Sequence, residues 1–311
     1  MLCRIASLLV VAALALEASL AGQEHSQAVF RSRVERVPVA TVVRTKDGRP
    51  VTNLKRTDFS LFDNGRARPI TDFQSDPTPI SLLLLVDLSG SMAVSGGWDA
   101  ALSMAGQLEL FLKPREDQVG VYTFDRRLRE VAPFGAPLGD VQRELKVLKP
   151  FGITALFDAI AEAGRSLSAR AGTRRAVIAL TDGEDNASRL TAAQVSALAS
   201  SIDVPVYIVM VGSRRDPDDS EPPTSPMYGE ALGRLADLAH LTGGEVYKST
   251  SPLEDRKAAG QIVAELRQQY LIVFEPDSEP GWHAIAVKTG NKNLVVRTRN
   301  GYLVGNRSDQ D

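Results

Sequence analysis

LLLLVDLSGSMAVSGGW, residues 82–98, decides how the rest of the chain is read. Five apolar residues, Leu82 to Val86, run without interruption and then stop at Asp87. Such a run, bounded by polar residues, suits a strand covered on both faces, as in a parallel sheet flanked by helices. Strand packing has no use for the Asp87-Leu88-Ser89-Gly90-Ser91 sequence that follows. The carboxyl ends of strands are where open α/β sheets hold their ligands, so the polar triplet reads as chemistry.

Outward from this stretch, strands and helices alternate from about Ile80 to Arg267. The further apolar runs are VGVYTF, AVIAL and VPVYIVMV, with a weaker one at GEVY. Helical stretches are expected near 98–113, 156–171, 191–201, 230–242 and 253–269. Alternation of this kind implies a doubly wound parallel sheet. On either side, Val29 to Phe73 and Tyr270 to Val304 read as short strands with turn punctuation. FSLF is expected to meet ITDF across Asp63-Asn64-Gly65, because Asn-Gly supplies the two positive-φ residues of a tight hairpin. Each flank alone is too short for a stable sheet with a covered face. Paired, they supply about six to eight strands, enough for a small sandwich. The expected fold class is therefore α/β, a doubly wound, mostly parallel sheet inserted in a smaller all-β sandwich-like domain. Its parts are 28–76 and 269–305 for the sandwich and 80–268 for the α/β domain. Ser213 to Tyr228, rich in proline and acid and without periodicity, is expected to be a loop on the same face as the polar triplet.

The amino terminus has another character. Met1 to Arg4 is short and positive, Ile5 to Leu16 is almost wholly apolar, and Ser19-Leu20-Ala21 places small residues before Gly22. Residues 1–21 read as a secretory signal peptide, its apolar part being well short of the ~20 residues a membrane span needs. Export to the periplasm or medium follows, with no membrane span in the mature chain. Cys3, the only cysteine, lies inside that signal, which excludes thiolate metal sites and cysteine nucleophiles from the mature chain. A formal net charge of −2 and the lack of a basic, aromatic-laced run argue against nucleic acid as a partner.

Two more segments join the triplet at the same rim. Gly152-Ile153-Thr154-Ala155-Leu156-Phe157-Asp158 opens a helix, and Thr181-Asp182-Gly183-Glu184-Asp185-Asn186 follows AVIAL. Together they bring two carboxylates and three hydroxyls, an all-oxygen donor set. Hard cations such as Mg²⁺ favour it, whereas zinc and copper prefer imidazole or thiolate. An octahedral Mg²⁺ also keeps positions for water or a ligand.

These residues resemble the metal-ion-dependent adhesion site of the von Willebrand factor type A domain: Asp-x-Ser-x-Ser, a distant Thr, then an Asp followed by Gly. Asp87, Ser89, Ser91, Thr154 and Asp182 match all five positions over roughly residues 80–268. The resemblance implies a six-stranded sheet with the site between the first and fourth strands of the domain. It implies direct cation contacts from the Ser89 and Ser91 hydroxyls, with Thr154, Asp87 and Asp182 binding directly or through water. The cation would be Mg²⁺, or Mn²⁺ or Ca²⁺, and its shell would be completed by a glutamate or aspartate of a protein partner. Gly90, Met92, Gly152, Ile153, Gly183 and Glu184 are the expected rim on which that partner docks. The resemblance also allows affinity to switch through the last helix of the domain, near 253–269. The flanks, VRTKDGRPVTNLKRTDFSLFDNGRARPITDF and RTRNGYLV, are similar to exported bacterial proteins whose type A domain sits within a small β domain.

Rival functions fit less well. DLSGS is similar to the acid loop of magnesium-dependent phosphatases, but Ser89 stands where those enzymes carry a second aspartate as acid/base. The nucleophile-elbow pattern G-x-S-x-G is absent around Ser89 and Ser91. His25, His240 and His283 lie in no catalytic motif. A purely structural cation that staples the loops is the third reading. The sequence favours a non-enzymatic adhesion or scaffold module.

Overall fold

The computed structural model describes residues 36–304 apart from 169, 171–173, 202 and 212–225. The signal-peptide expectation and residues 213–225 of the acidic loop lie outside the described residues. Chain-order elements are β1 (Val37–Thr45), β2 (Phe59–Asp63), β3 (Arg66–Arg68), β4 (Asp72–Gln74) and β5 (Ile80–Asp87), then α1 (Gly90–Val94) and α2 (Gly97–Glu109). Next come β6 (Gln118–Phe124), β7 (Leu128–Ala132), α3 (Leu138–Val147), α4 (Leu156–Ser168), β8 (Arg174–Thr181), α5 (Ala192–Ser201) and β9 (Val206–Met210). The chain closes with α6 (Pro226–Thr242), β10 (Val246–Lys248), α7 (Pro252–Arg267), β11 (Tyr270–Phe274), β12 (Gly281–Thr289), β13 (Leu294–Thr298) and β14 (Gly301–Val304).

The central sheet has six strands in the order β10-β9-β8-β5-β6-β7. Every pairing is parallel except β6 with β7. β5 shows why its sequence lacks alternation. Ile80, Leu82, Leu84 and Val86 point to one helical layer, and Leu83 and Leu85 to the other. With both faces buried the period-two signal has no polar half. Each such side chain contributes about 1.5–3 kcal/mol by leaving water. α2, α3 and α7 cover the first face through Met104, Leu145 and Ile262. α4, α5 and α6 cover the second through Ile160, Val195 and Leu238.

The flanking segments pair with each other. β1 lies between β11 and β13 in the four-stranded order β13-β1-β11-β4, and a second sheet has the order β14-β12-β2-β3. Val39 stands opposite Ile272 in the first sheet and Leu61 opposite Val287 in the second. Side chains of both sheets, among them Val39, Phe59, Leu61, Tyr270, Phe274 and Val287, share one core. The α/β domain is thus inserted in an all-β sandwich, as expected.

Three details correct the sequence reading. The Asn64-Gly65 turn (φ 47° and 78°) forms, but the strand it returns is Arg66–Arg68. The ITDF segment crosses to the other sheet, where Phe73 stands opposite Ile272 on β11. Edge strand β7 and helices α1 and α3 were not expected, and α6 starts at Pro226, inside the segment read as loop.

A group of charges lies where the last strands of the sandwich meet the helical layer. Arg44 of β1 donates to Glu245 at 2.7 Å and to Glu265 of α7 at 2.9 Å. The Arg297 guanidinium of β13 pairs with the same two carboxylates. Glu265 also accepts from the Tyr207 hydroxyl at 3.3 Å. Two cations and two anions balance here, which buried charge requires.

Candidate functional site

Strand order reverses direction between β5 and β8, so a crevice opens at their carboxyl ends. Asp87 ends β5 and Thr181 ends β8, and the two are joined: the Thr181 hydroxyl donates to Asp87 Oδ2 at 2.7 Å. The Ser89 amide donates to Asp87 Oδ1 at 2.9 Å, so both carboxylate oxygens are held. Asp87 is fully buried, and burial first, with the nearby Asp182 charge adding to it, pushes its carboxyl up to about 7 despite these hydrogen bonds. Removing water disfavours the charged form, and a cation beside it would reverse that preference.

Ser89 immediately precedes α1, at the capping position of its amino end. In that position a serine hydroxyl ordinarily accepts from a backbone amide of the first turn. Here it makes no such bond and instead lies 3.1 Å from the Ser91 hydroxyl. The two hydroxyls thus hydrogen-bond to each other, which brings both oxygens to one end of the loop. Gly90 fixes this loop against the next one by donating its amide to the Gly152 carbonyl at 3.0 Å.

Thr154 is held by its backbone. Its amide donates to Asn186 Oδ1 at 2.9 Å, and its carbonyl accepts from the amides of Asn186 and Ala187 at 3.1 and 2.9 Å. Asp185 and Ser188, from the loop after β8, accept from the Phe157 and Asp158 amides at the start of α4. All of this leaves the side chain out. Thr154 is 1% exposed, and its Oγ1 is buried with no hydrogen-bond partner. An unmatched buried hydroxyl costs about 1–3 kcal/mol, so its persistence asks for a ligand. Asp182, half-buried, accepts the Glu184 amide at 3.3 Å.

The donor set suits a hard divalent cation: neutral hydroxyls of Ser89, Ser91 and Thr154 beside the carboxylates of Asp87 and Asp182. Among the described residues no three His, Cys, Asp or Glu side chains gather as a metal site would need, so a cation here depends on the hydroxyls.

Of the expected rim, Gly152, Ile153 and Glu184 are exposed and Gly90 is half-buried. Met92 is corrected: α1 turns it inward, and it is fully buried in the core beneath the sheet's first helical layer. Gly183 is buried as well, its amide donating to the Thr181 hydroxyl at 3.1 Å. Phe151, 82% exposed beside Gly152, was not foreseen as rim. Also unforeseen were the supports Thr181 and Asn186 and the Asp125 carbonyl, which accepts the Ala155 amide at 2.9 Å. Only the position of Thr181 at the end of a buried strand could have marked it.

A search of curated protein sequences finds no match. Among solved structures, a von Willebrand factor type A protein from Catenulispora acidiphila aligns at 14% identity with TM-score 0.47, covering 89% of this chain and 74% of that one. An aerotolerance-related membrane protein from Bacteroides fragilis, carrying multiple mutations to serines, aligns at 19% identity with TM-score 0.48, covering 60% and 98%. The D319A mutant of the PilB minor pilin from Streptococcus sanguinis aligns at 13% identity with TM-score 0.45, covering 65% and 64%. Residues 82–184, from β5 to the loop after β8, match the family model of the von Willebrand factor type A domain.

Proposed function

We propose that this chain is an exported adhesion or scaffold module that grips an acidic side chain of a protein partner through a divalent cation. The cation, Mg²⁺ or in its place Mn²⁺ or Ca²⁺, would be held by Asp87, Ser89, Ser91, Thr154 and Asp182. The observation that carries this reading is the Thr154 hydroxyl, fully enclosed at the switch point and bonded to nothing. The cation would supply Lewis acidity, and with three neutral hydroxyls among its ligands it retains attraction for a carboxylate. Exposed Phe151 and Ile153 beside the crevice offer apolar contact around that carboxylate, as the centre of a protein interface does.

Binding is favoured over phosphatase-like hydrolysis by the state of Asp87. A nucleophilic aspartate must present an oxygen to an approaching substrate, whereas Asp87 is fully buried; the lone pair each oxygen keeps beyond its hydrogen bond would serve a small cation held in the crevice and not a phosphoryl group. Export is supported by residues 1–21 of the sequence, and no helix among the described residues is long and apolar enough to cross a membrane.

The test is a capture experiment on exported proteins of the source organism, with the mature chain as bait, in Mg²⁺, in EDTA, and with Asp182→Ala. A partner kept only by the unaltered chain in Mg²⁺ supports the reading. Equal recovery in all three arms rejects it.

A further inference from the structure

Next to the crevice, and separate from its oxygen donors, lies a second cavity of about 450 Å³. Asp125, Arg126, Arg127, Asp158, Arg165 and Arg189 are among its lining residues. Its position is fixed by the same loops as the cation site. The Phe124 carbonyl accepts the Leu88 amide at 2.7 Å, and the Asp125 carbonyl accepts the Ala155 amide at 2.9 Å. The β6–β7 turn that bears Arg126 and Arg127 therefore adjoins both the Asp87–Ser91 loop and the residue after Thr154.

The charges in and around this cavity do not cancel. Arg129 pairs with Asp125 at 2.8 Å, Arg165 with Glu162 at 3.1 Å and Arg189 with Asp158 at 3.3 Å. Each carboxylate is thereby matched by one guanidinium. Arg126 and Arg127, both exposed, have no side-chain hydrogen bond or ion pair among the described residues. Two unmatched guanidiniums among the residues lining a polar cavity suit a carboxylate, which a guanidinium can take in bidentate fashion. Their turn is rigidly placed: Asp125 Oδ1 accepts the Arg127 amide at 2.7 Å, and the Asp125 amide donates to the Arg127 carbonyl at 3.3 Å.

The geometry points to a second anion subsite: Arg126 and Arg127 receive a further carboxylate from the same partner segment whose first carboxylate meets the cation. This rests on the metal-bridged reading above and narrows its partner to a segment bearing two or more acidic side chains. A single acid suffices for the cation, so the arginines select among acidic segments and raise the association rate, as rim charges do.

The probe is a fluorescein-labelled, end-blocked hexaglutamate peptide, compared with an end-blocked peptide holding one glutamate between glycines. Binding is read by fluorescence polarisation to the mature chain in Mg²⁺ and in EDTA. Arg126→Glu with Arg127→Glu is expected to weaken hexaglutamate binding about tenfold or more while leaving the single-glutamate peptide unchanged. The same reversal at Arg143 and Lys146, exposed on α3, is expected to change neither. Hexaglutamate binding untouched by the Arg126/Arg127 reversal, or weakened equally by the α3 reversal, overturns the subsite. Displacement of hexaglutamate by an equal concentration of inorganic phosphate also overturns it, by assigning the two arginines to phosphate. The two readings fail separately. Loss in EDTA with no effect of the arginines defeats the subsite and leaves the cation bridge, whereas loss with the arginines alone, unchanged by EDTA or Asp182→Ala, defeats the cation bridge and with it the two-carboxylate partner, leaving the arginines a plain anion site.

Discussion

Replacing Thr154 by valine removes one hydroxyl and keeps the branched shape at Cβ. For most buried threonines this exchange is costly, because a hydrogen bond is lost. At Thr154 the backbone makes the contacts and Oγ1 makes none. The valine therefore loses no protein hydrogen bond and relieves an unmatched polar group whose burial costs about 1–3 kcal/mol. In EDTA the variant is expected to be more stable than the unaltered chain by roughly 1–2 kcal/mol. In Mg²⁺ the order reverses. A ligand at a hundred times its dissociation constant stabilises by about 2.7 kcal/mol, and the variant forfeits most of that. Urea unfolding of both proteins, each in Mg²⁺ and in EDTA, yields the four free energies needed. A loss of more than about 1 kcal/mol in EDTA would show that the hydroxyl has a protein partner, contrary to the reasoning. An equal Mg²⁺ response in both proteins would remove Thr154 from the cation site.

Other consequences concern the sandwich and its junction with the helical layer. Glu265→Leu leaves the buried Arg297 with Glu245 as its one carboxylate among the described residues and is expected to cost about 3–5 kcal/mol in urea unfolding, part of which Arg297→Met restores in the double variant; equal losses in single and double variants would contradict the paired-charge account. Burial alone would lower the His283 imidazole, but the Glu279 carbonyl at 2.8 Å and the Asp63 carboxylate at 2.9 Å outweigh it and hold it above its ordinary 6.5. A raised histidine stabilises fully below 6.5 and loses that contribution as pH climbs through its raised value. The urea midpoint should then fall with rising pH above 6.5, and His283→Gln should flatten the slope; an unchanged slope would refute the assignment.

How far the sequence could be read follows from which physical signals are local. The strands β5, β8 and β9 were legible because burial on both faces leaves uninterrupted apolar runs. β7 was hidden: LREVA buries only Ala132 and lies antiparallel at the sheet edge, so its polar face resembles loop. α3 was missed for a similar reason, since among its described side chains only Val141 and Leu145 are buried in the core. The Asn64-Gly65 turn was evident from its dipeptide, yet the destination of ITDF was not. Register is set by packing against β11, about two hundred residues away in the chain. The five oxygen donors stood out because no structural need explains them together. Their supports, Asn186 beneath Thr154 and Thr181 on Asp87, act across separations of 32 and 94 residues and carry no local pattern. Met92 was misplaced because a rim position in sequence does not tell which way a short helix faces.

In the function proposed above, three loops at the β5–β8 switch point assemble one divalent-cation site. The site is measured most directly by anomalous scattering from crystals of the protein soaked in Mn²⁺, in which a bound ion locates itself. One strong peak is expected within bonding distance of the Ser89 and Ser91 hydroxyls, beside Thr154 and Asp182, and no peak there in Asp182→Ala. A fully occupied crystal soak with no peak at that point, or with its strongest peak elsewhere, would contradict it.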